Sequence, residues 1–444
     1  MADDRRAADV VIVGGGYSGT MLGAELARRG VTSIMIEANA REGRGTAFST
    51  PKAGHLLNVI AGRMGASADR PDEFAKAVAA EGYQPDDFVP RQRYGEYLTG
   101  ILRETEATGL LTVVPAQAVG AAKDDGGWSI GLADGGAIEA KAIVLALGNQ
   151  PPGLPGFAND SPDSPFINDP WSDEGHEALM AASEEGGDIL IIGTGLTMVD
   201  VVLSLAETGH QGRITAVSRR GLMPRAHIAT HASAPVELHE LPKGSVRSLM
   251  RWLRTNIGEA GWRAAVDCVR PHSHALWRSW SEAEQRRFLR HARPWWDVHR
   301  HRIAPEVAGR LKQLIQEDRL DIVAGRIRDL REEGEGLAAT IQRRGQDKTT
   351  ARHFAIAVNC TGPLGSMSRS KEDLLQSLFE AGLVRPDKLD LGLEVDGHSR
   401  VAGSQRAWAL GPMTKGAFWE ITAVPDIRNQ VAAVAGDIAE ELGQ

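Results

Sequence analysis

The chain has 444 residues with a net charge of −8, is 42% hydrophobic and 24% charged, and carries 50 glycines. Its length suggests two to three domains with cores that need no covalent staples, and its mild acidity argues against a nucleic-acid partner. Two cysteines, Cys268 and Cys360, are too few for a disulfide framework, a Cys-rich zinc site or a CxxC pair. No apolar run approaches the roughly 18 residues of a membrane span, and MADDRRAADV holds no apolar leader core, so a cytoplasmic protein is expected.

In chain order, the first element is an apolar run at 10–13 that ends on Gly14. A helical pattern follows at 18–29, then a second strand, SIMIE, closing on Glu37. After a long middle come LTVVPAQAVGAA, WSIGLADGGAIEA and the run IVLAL, which ends on Gly148. The pattern then repeats: ILII before Gly193, a helix over 196–207, RITAVSRR, a long middle, LDIVAGRIRDL, further short strands, and AIAVNC before Thr361 and Gly362. Short runs apolar on both faces, each ending on glycine and alternating with helices, indicate parallel strands of a doubly wound sheet. The expected fold is therefore α/β, with two Rossmann-like dinucleotide-binding domains, the second inserted into the first. Residues 1–160 and 351–444 are assigned to the first domain and 185–350 to the second, which carries a helical insert at 225–320.

That insert has its own composition. Six of the ten Trp lie in it, and eight of the thirteen His fall between His227 and His301. Between Lys243 and Lys312 the local charge is +9, which leaves −17 for the remainder. The preferred reading is a helical subdomain with Trp inside and Arg outside, ahead of a nucleic-acid or membrane surface. His299 and His301 are two apart and would point to different helix faces, and His227 with His231 lacks further ligands, so no metal site is expected.

The sharpest motif is Gly14, Gly15, Gly16, Tyr17, Ser18 and Gly19 between strand and helix, with Glu37 ending the next strand. Gly14 permits the turn, Gly16 the approach of a pyrophosphate, and Gly19 close helix packing, while an acid at 37 accepts the ribose hydroxyls. This set suits FAD. The second motif, Gly193, Thr194, Gly195, Leu196 and Thr197, has Met198 in place of the third glycine. Ser218, Arg219 and Arg220 stand where Glu37 stands in the first copy. An acid repels a 2′-phosphate and arginine holds it, so NADPH is expected over NADH; a solvated basic turn is the alternative.

With these motifs the chain resembles the two-dinucleotide-binding-domain flavoproteins, which include flavin-containing and N-hydroxylating monooxygenases and disulfide reductases. GRGTAFST, HLLNVIAGRMGASAD, WWDVHRHRIAPEV and FWEITAVPDIR resemble, more narrowly, bacterial FAD/NAD(P)-binding proteins of the YdhS type. The resemblance implies FAD and a nicotinamide cofactor and places Gly45, Thr46, Leu57 and Asn58 beside the flavin. Gly148, Thr361 and Gly362 match its domain-crossing strands. Gly411 matches a Gly-Asp pair whose carboxylate binds the ribityl chain, but proline follows here. Glu420 and Ile421 fall in WEIT, which would start the last helix with its N–H groups toward the flavin.

Reduction of a disulfide needs a cysteine pair, which Cys268 and Cys360 do not form in sequence. Oxygenation of a small molecule, N-hydroxylation included, is the leading expectation, although the His of ketone-oxidising relatives is missing near 166–171. An NADPH-dependent reductase of a small molecule or protein acceptor is the alternative, and a non-catalytic nucleotide sensor the third. An anionic small molecule would suit the basic insert. No catalytic side chain is demanded by the sequence.

Overall fold

The computed structural model describes residues 6–159, 164–228, 236–258 and 261–444, and within these two seven-stranded sheets form. The first is built from β1 (Arg6–Val13), β2 (Ser33–Ile36), β3 (Leu111–Val114), β4 (Ala118–Lys123), β5 (Trp128–Leu132) and β6 (Ala137–Leu145). The second takes β7 (Phe166–Ile167), β8 (Ile189–Ile192), β9 (Ile214–Ser218), β10 (Leu320–Glu333), β11 (Gly336–Arg343), β12 (Thr349–Phe354) and β13 (Ile356–Asn359). The chain then returns, and β14 (Ala407–Ala409) pairs parallel to β6. These are two Rossmann-like domains, the second inserted in the first, as the glycine-ended repeat implied.

The two sheets share one parallel core. In the first the neighbours run β3-β2-β1-β6-β14, and in the second β10-β9-β8-β13-β7, all parallel. They differ in where the antiparallel meander attaches. In the first sheet β4 and β5 fold onto the start of β6, whereas in the second β11 and β12 fold onto the far half of β10. The domain boundary expected at 350/351 is corrected by this pairing. β12 and β13 hydrogen-bond into the second sheet, so the chain crosses back only after Asn359, at Thr361 and Gly362.

Strands β1 and β8 carry Val10, Val11 and Ile12, and Ile189, Leu190 and Ile191, without measurable exposure, because both faces are covered, β8 by helices on one side and the antiparallel meander on the other. Helix Tyr17–Ala27 is buried along most of its length, packing Met21 and Leu22 with Val431, Val434 and Ile438 of the C-terminal helix Val424–Leu442. That last helix begins at Val424 rather than in the 419–422 stretch. Glu420 has φ +72°, which no helix accommodates, and Pro425 near the helix start needs no intrahelical N–H partner.

The insert is helical as expected, with helices Val246–Asn256, Gly261–Val269, Ser273–Ser279, Glu282–Arg287, Arg293–Arg300 and Pro305–Gln316. Trp277, Trp280 and Trp296 fill its core with Leu249, Leu253 and Phe288, while Trp295 lies on its surface. The arginine exterior forms as expected at Arg247, Arg251, Arg254, Arg278, Arg286, Arg287 and Arg290, with two exceptions. Arg302 is buried against the Asp267 carboxylate at 2.9 and 3.0 Å, and Arg300 is also buried. The core is moreover not the insert's own: Leu389 and Trp419, from the C-terminal part of the chain, complete it.

Candidate functional site

Each glycine turn is shaped by a steric demand that sequence spacing only hints at. Gly14 has φ +108°, and a Cβ there would overlap the Ala146 carbonyl; Gly193 has φ +117°, and a Cβ would overlap the carbonyl of Cys360. Gly14 N–H donates to Ile36 O and Gly193 N–H to Val217 O, both at 2.9 Å. Gly16 and Gly195 then cap their helices with almost the same backbone, φ −77° and −87°, ψ −168° and −161°. Neither cap is closed by a side chain, and neither helix has an acid in its first turn. Both therefore present uncompensated N–H groups and the positive helix end to whatever lies in front, which is how a phosphate is held.

The copies diverge at the ribose position. In the first, the buried carboxylate of Glu37 accepts from Gly15 N–H at 2.6 Å and Asn39 N–H at 3.0 Å, and keeps further lone pairs for a diol. In the second, Thr194 and Ser218 hydroxyls meet at 2.8 Å, and Thr194 donates to Leu222 O at 2.5 Å. Among the described residues no carboxylate occupies this position. Arg219, exposed, lines the cleft beside Ser218. Ala324 of β10 is in register with Ser218, and Arg326, two residues on, also faces the cleft and is exposed. Neither guanidinium has an ion-pair or hydrogen-bond partner among the described residues. The residues present thus fit FAD in the first cradle and NADPH in the second.

Both cradles open on one cleft of about 1430 Å³. It gathers Gly14, Gly15, Gly16, Tyr17, Ser18, Glu37, Gly45, Thr46, Leu57, Asn58 and Gly148 from the first domain. From the second it takes Gly193, Thr194, Gly195, Leu196, Thr197, Ser218 and Arg219, and from the return of the chain Thr361, Gly362 and Glu420. Four expected residues stand outside this lining. Gly19 packs in its helix, where a Cβ would overlap Gly14 O; Arg220 points elsewhere; Ile421 is buried in the first domain's core. Gly411 lies behind Pro412, its N–H donated to Gln430 at 2.8 Å.

A buried clamp crosses between the domains. Arg91 donates to both oxygens of Asp200 at 2.9 and 3.0 Å, joining helix Arg91–Glu106 to helix Leu196–Glu207. His55 bridges Thr50 at 2.7 Å and Asp200 O at 3.0 Å, and burial holds its imidazole below the usual histidine range. His227 contacts Asn58 O at 3.1 Å, and His231 falls outside the described residues. Cys360 is buried, and burial pushes its thiol up.

Another wall of the cleft comes from the insert and the loop that follows Pro412, which starts where Gly411 lies against the Ser18 hydroxyl of the first turn. The Trp277 indole N–H donates to Gly416 O at 2.8 Å, and its ring stacks on Trp419 at 4.8 Å. Glu420 is buried, accepts from the Trp296 N–H and pairs with Arg300 at 2.9 Å. Arg293, Asp297, His301 and Lys415 complete this wall. The stretch WWDVHRHR contains two of these four, Asp297 and His301; what sequence could not show is that it folds over the loop after Pro412. His299, by contrast, stacks on Trp262 within the insert at 6.3 Å.

Residues 11–150 match a family described as FAD-NAD(P)-binding. The match covers the first part of the first domain, and the chain as a whole folds as two Rossmann-like domains. In fold it is similar to L-lysine 6-monooxygenase from Pseudomonas syringae (17% identity, 98% of this chain and 99% of that one, TM-score 0.67). It is likewise similar to ornithine N-hydroxylase of Kutzneria sp. 744, described with reduced FAD, NADP+ and L-ornithine (13%, 99% and 100%, 0.66). The bacillithiol disulfide reductase of Staphylococcus aureus shares the fold too (12%, 98% and 99%, 0.60). No curated protein matches the chain in sequence.

Proposed function

We propose that the chain is an FAD- and NADPH-dependent oxidoreductase, and within that class a flavin monooxygenase acting on a small molecule. The observation that carries the cofactor pair is the opening of two uncapped, acid-free helix ends onto one cleft, with a carboxylate at one ribose position and arginines at the other. Gly14, Gly15, Gly16 and Glu37 would hold FAD; Gly193, Gly195, Ser218, Arg219 and Arg326 would hold NADPH. Bound there, the flavin supplies the redox chemistry, taking electrons from the nicotinamide and passing them to an acceptor.

The protein's own part is to bind, orient and exclude water. The Arg91–Asp200 clamp fixes the two cradles relative to one another, and the Trp277–Trp419 stack closes the wall against solvent. That closed wall and the fold shared with two amine N-monooxygenases support oxygenation. Cys360 stands alone at the cleft, and Cys268 lies on an insert helix outside its lining, so a cleft dithiol is not on hand for disulfide reduction. The YdhS-type resemblance belongs to this reading, as does a cytoplasmic location, supported by two cysteines left as thiols; among the described residues no helix is long and apolar enough to cross a membrane.

Rapid mixing of the NADPH-reduced protein with oxygen tests the assignment. A transient absorbance before reoxidation, lengthened or shortened by a small-molecule substrate, is the expected result. Slow featureless reoxidation would replace it with the reductase reading, and a protein that cannot be loaded with FAD would overturn both.

A further inference from the structure

The insert-built wall holds an unbalanced charge. Arg300 lies 2.9 Å from Glu420 and 3.3 Å from Asp426, and Arg270 is 4.0 Å from Asp426, so two cations meet two anions. Arg293 pairs with Asp297 at 3.2 Å. His301 is neutral, its imidazole brought down to about 3 by burial and by the surrounding Arg300, Lys415, Arg293 and Arg270. What is left over is Lys415. Its amine lines the cleft, lies 5.4 Å over the Trp419 ring, and has no hydrogen-bond or ion-pair partner among the described residues. Arg293 lies over the same ring at 5.7 Å.

Lys415 is half-buried, and an ammonium partly withdrawn from water without a counter-ion is costly, so proteins supply one or let the group neutralise. Here burial, with repulsion from Arg293, brings Lys415 down to about 8, while Asp297 and Glu420 pull the other way. Lys415 belongs to neither glycine turn and to neither ribose-position strand.

We propose that Lys415, supported by Arg293, is the seat for a carboxylate, and that the substrate is a small organic acid bound as its anion. This rests on the oxidoreductase reading and deepens it. The carboxylate would complete the charge balance of the wall, gain cation–hydrogen-bond contacts that a neutral analogue cannot make, and lie against the Trp419 face. Asp297 is the opposing charge: it keeps Arg293 occupied and sets how tightly an anion is held.

The test titrates the FAD-loaded protein with acetate, succinate and benzoate, and with neutral benzamide, following flavin absorbance and tryptophan fluorescence. At least one carboxylate should bind at pH 7, with benzamide at least about tenfold weaker than benzoate. Lys415→Met should weaken carboxylate binding by about tenfold or more, Lys415→Arg should retain it, and Asp297→Asn should tighten it. Raising the pH should release the anion with a midpoint near 8, where Lys415 gives up its proton; Arg293, Asp297, Glu420 and His301 are the other charged or titratable groups that face it. Equal binding of benzoate and benzamide, no binding of any carboxylate, or unchanged binding in Lys415→Met would each overturn the proposal. So would a Lys415→Met protein that releases FAD yet binds carboxylates normally, since the lysine would then serve the flavin. Failure to take up FAD speaks against the oxidoreductase reading alone, because tryptophan fluorescence still reports the carboxylate.

Discussion

Replacing Arg300 by methionine separates a clamp that shapes the cleft from an incidental buried ion pair. Arg300 is 8% exposed and Glu420 3%. Loss of the guanidinium leaves the Glu420 carboxylate underground with only the Trp296 N–H, and Asp426 with Arg270 at 4.0 Å. Stranding a buried charge this way costs about 3–5 kcal/mol. Glu420 also holds φ +72°, a conformation worth about 1–2 kcal/mol of strain in a non-glycine residue. Once its bonds are gone the loop can relax, so the lower end of the range, about 3 kcal/mol, is expected for Arg300→Met. Glu420→Gln is the informative contrast. The amide oxygen still accepts from Trp296, and Arg300 keeps Asp426 at 3.3 Å, so about 1–2 kcal/mol should be lost. Urea unfolding followed by tryptophan fluorescence suits the measurement, because six of the ten Trp lie in the insert. Equal costs for the two variants, or a loss below about 1 kcal/mol for Arg300→Met, would refute the view that Glu420 is a charge held by the insert.

Arg219→Ala and Arg326→Ala should each lower kcat/KM for NADPH by about tenfold or more and leave NADH within about twofold, whereas Arg220→Ala, outside the cleft lining, should do little; matched losses with both cofactors would remove the 2′-phosphate assignment. Gly195→Ala separates ligand approach from folding. A Cβ there meets no atom within 4 Å and its φ is −87°, so stability should hold while NADPH use falls; a variant with unaltered NADPH kinetics would contradict the phosphate seat. Gly14→Ala, by contrast, should lose FAD and unfold at lower urea, since its Cβ has no room beside Ala146. The neutral His301 carries a pH signature. Its folded value of about 3 lies below the ordinary 6.5, so its contribution to stability is complete above pH 6.5 and drains as pH falls toward 3. His301→Asn should flatten the acid limb of the stability profile between pH 6 and 4 relative to the parent, and parallel limbs would show that the imidazole is not the group responsible.

The parts of this molecule that sequence reveals are those fixed by one stretch of chain. Gly14 and Gly19 announce a turn because no side chain fits there, and Glu37 follows because the second parallel strand ends beside that turn. The equivalent reading at Ser218 rests on the strand end alone. It located the strand end but assigned both neighbouring arginines to the phosphate, and only Arg219 faces the cleft. Arg326 was not legible, since it becomes a neighbour of Ser218 only when β10 pairs with β9 some hundred residues later in the chain. The boundary at 350 failed for a similar reason: β13 is short and apolar like β6, and nothing local says that it lies beside β8.

In the insert the basic exterior forms as read, and the exceptions to it carry the structural consequence. A local +9 with interleaved Trp suggested a basic exterior, yet Arg300 and Arg302 are buried against acids, and the Trp core reaches across to Trp419. Glu420 ties these observations together. As a residue of WEIT it looked like the first turn of a helix directed at a cofactor. In the fold its backbone is left-handed, its carboxylate belongs to Arg300, and the open helix end lies at Val424 instead. The strained residue persists because the insert holds it, and by holding it the insert decides how Trp419 and Lys415 face the cleft. Lengthening or trimming the insert should therefore alter what the cleft accepts before it alters cofactor affinity, since the two cradles are built without it.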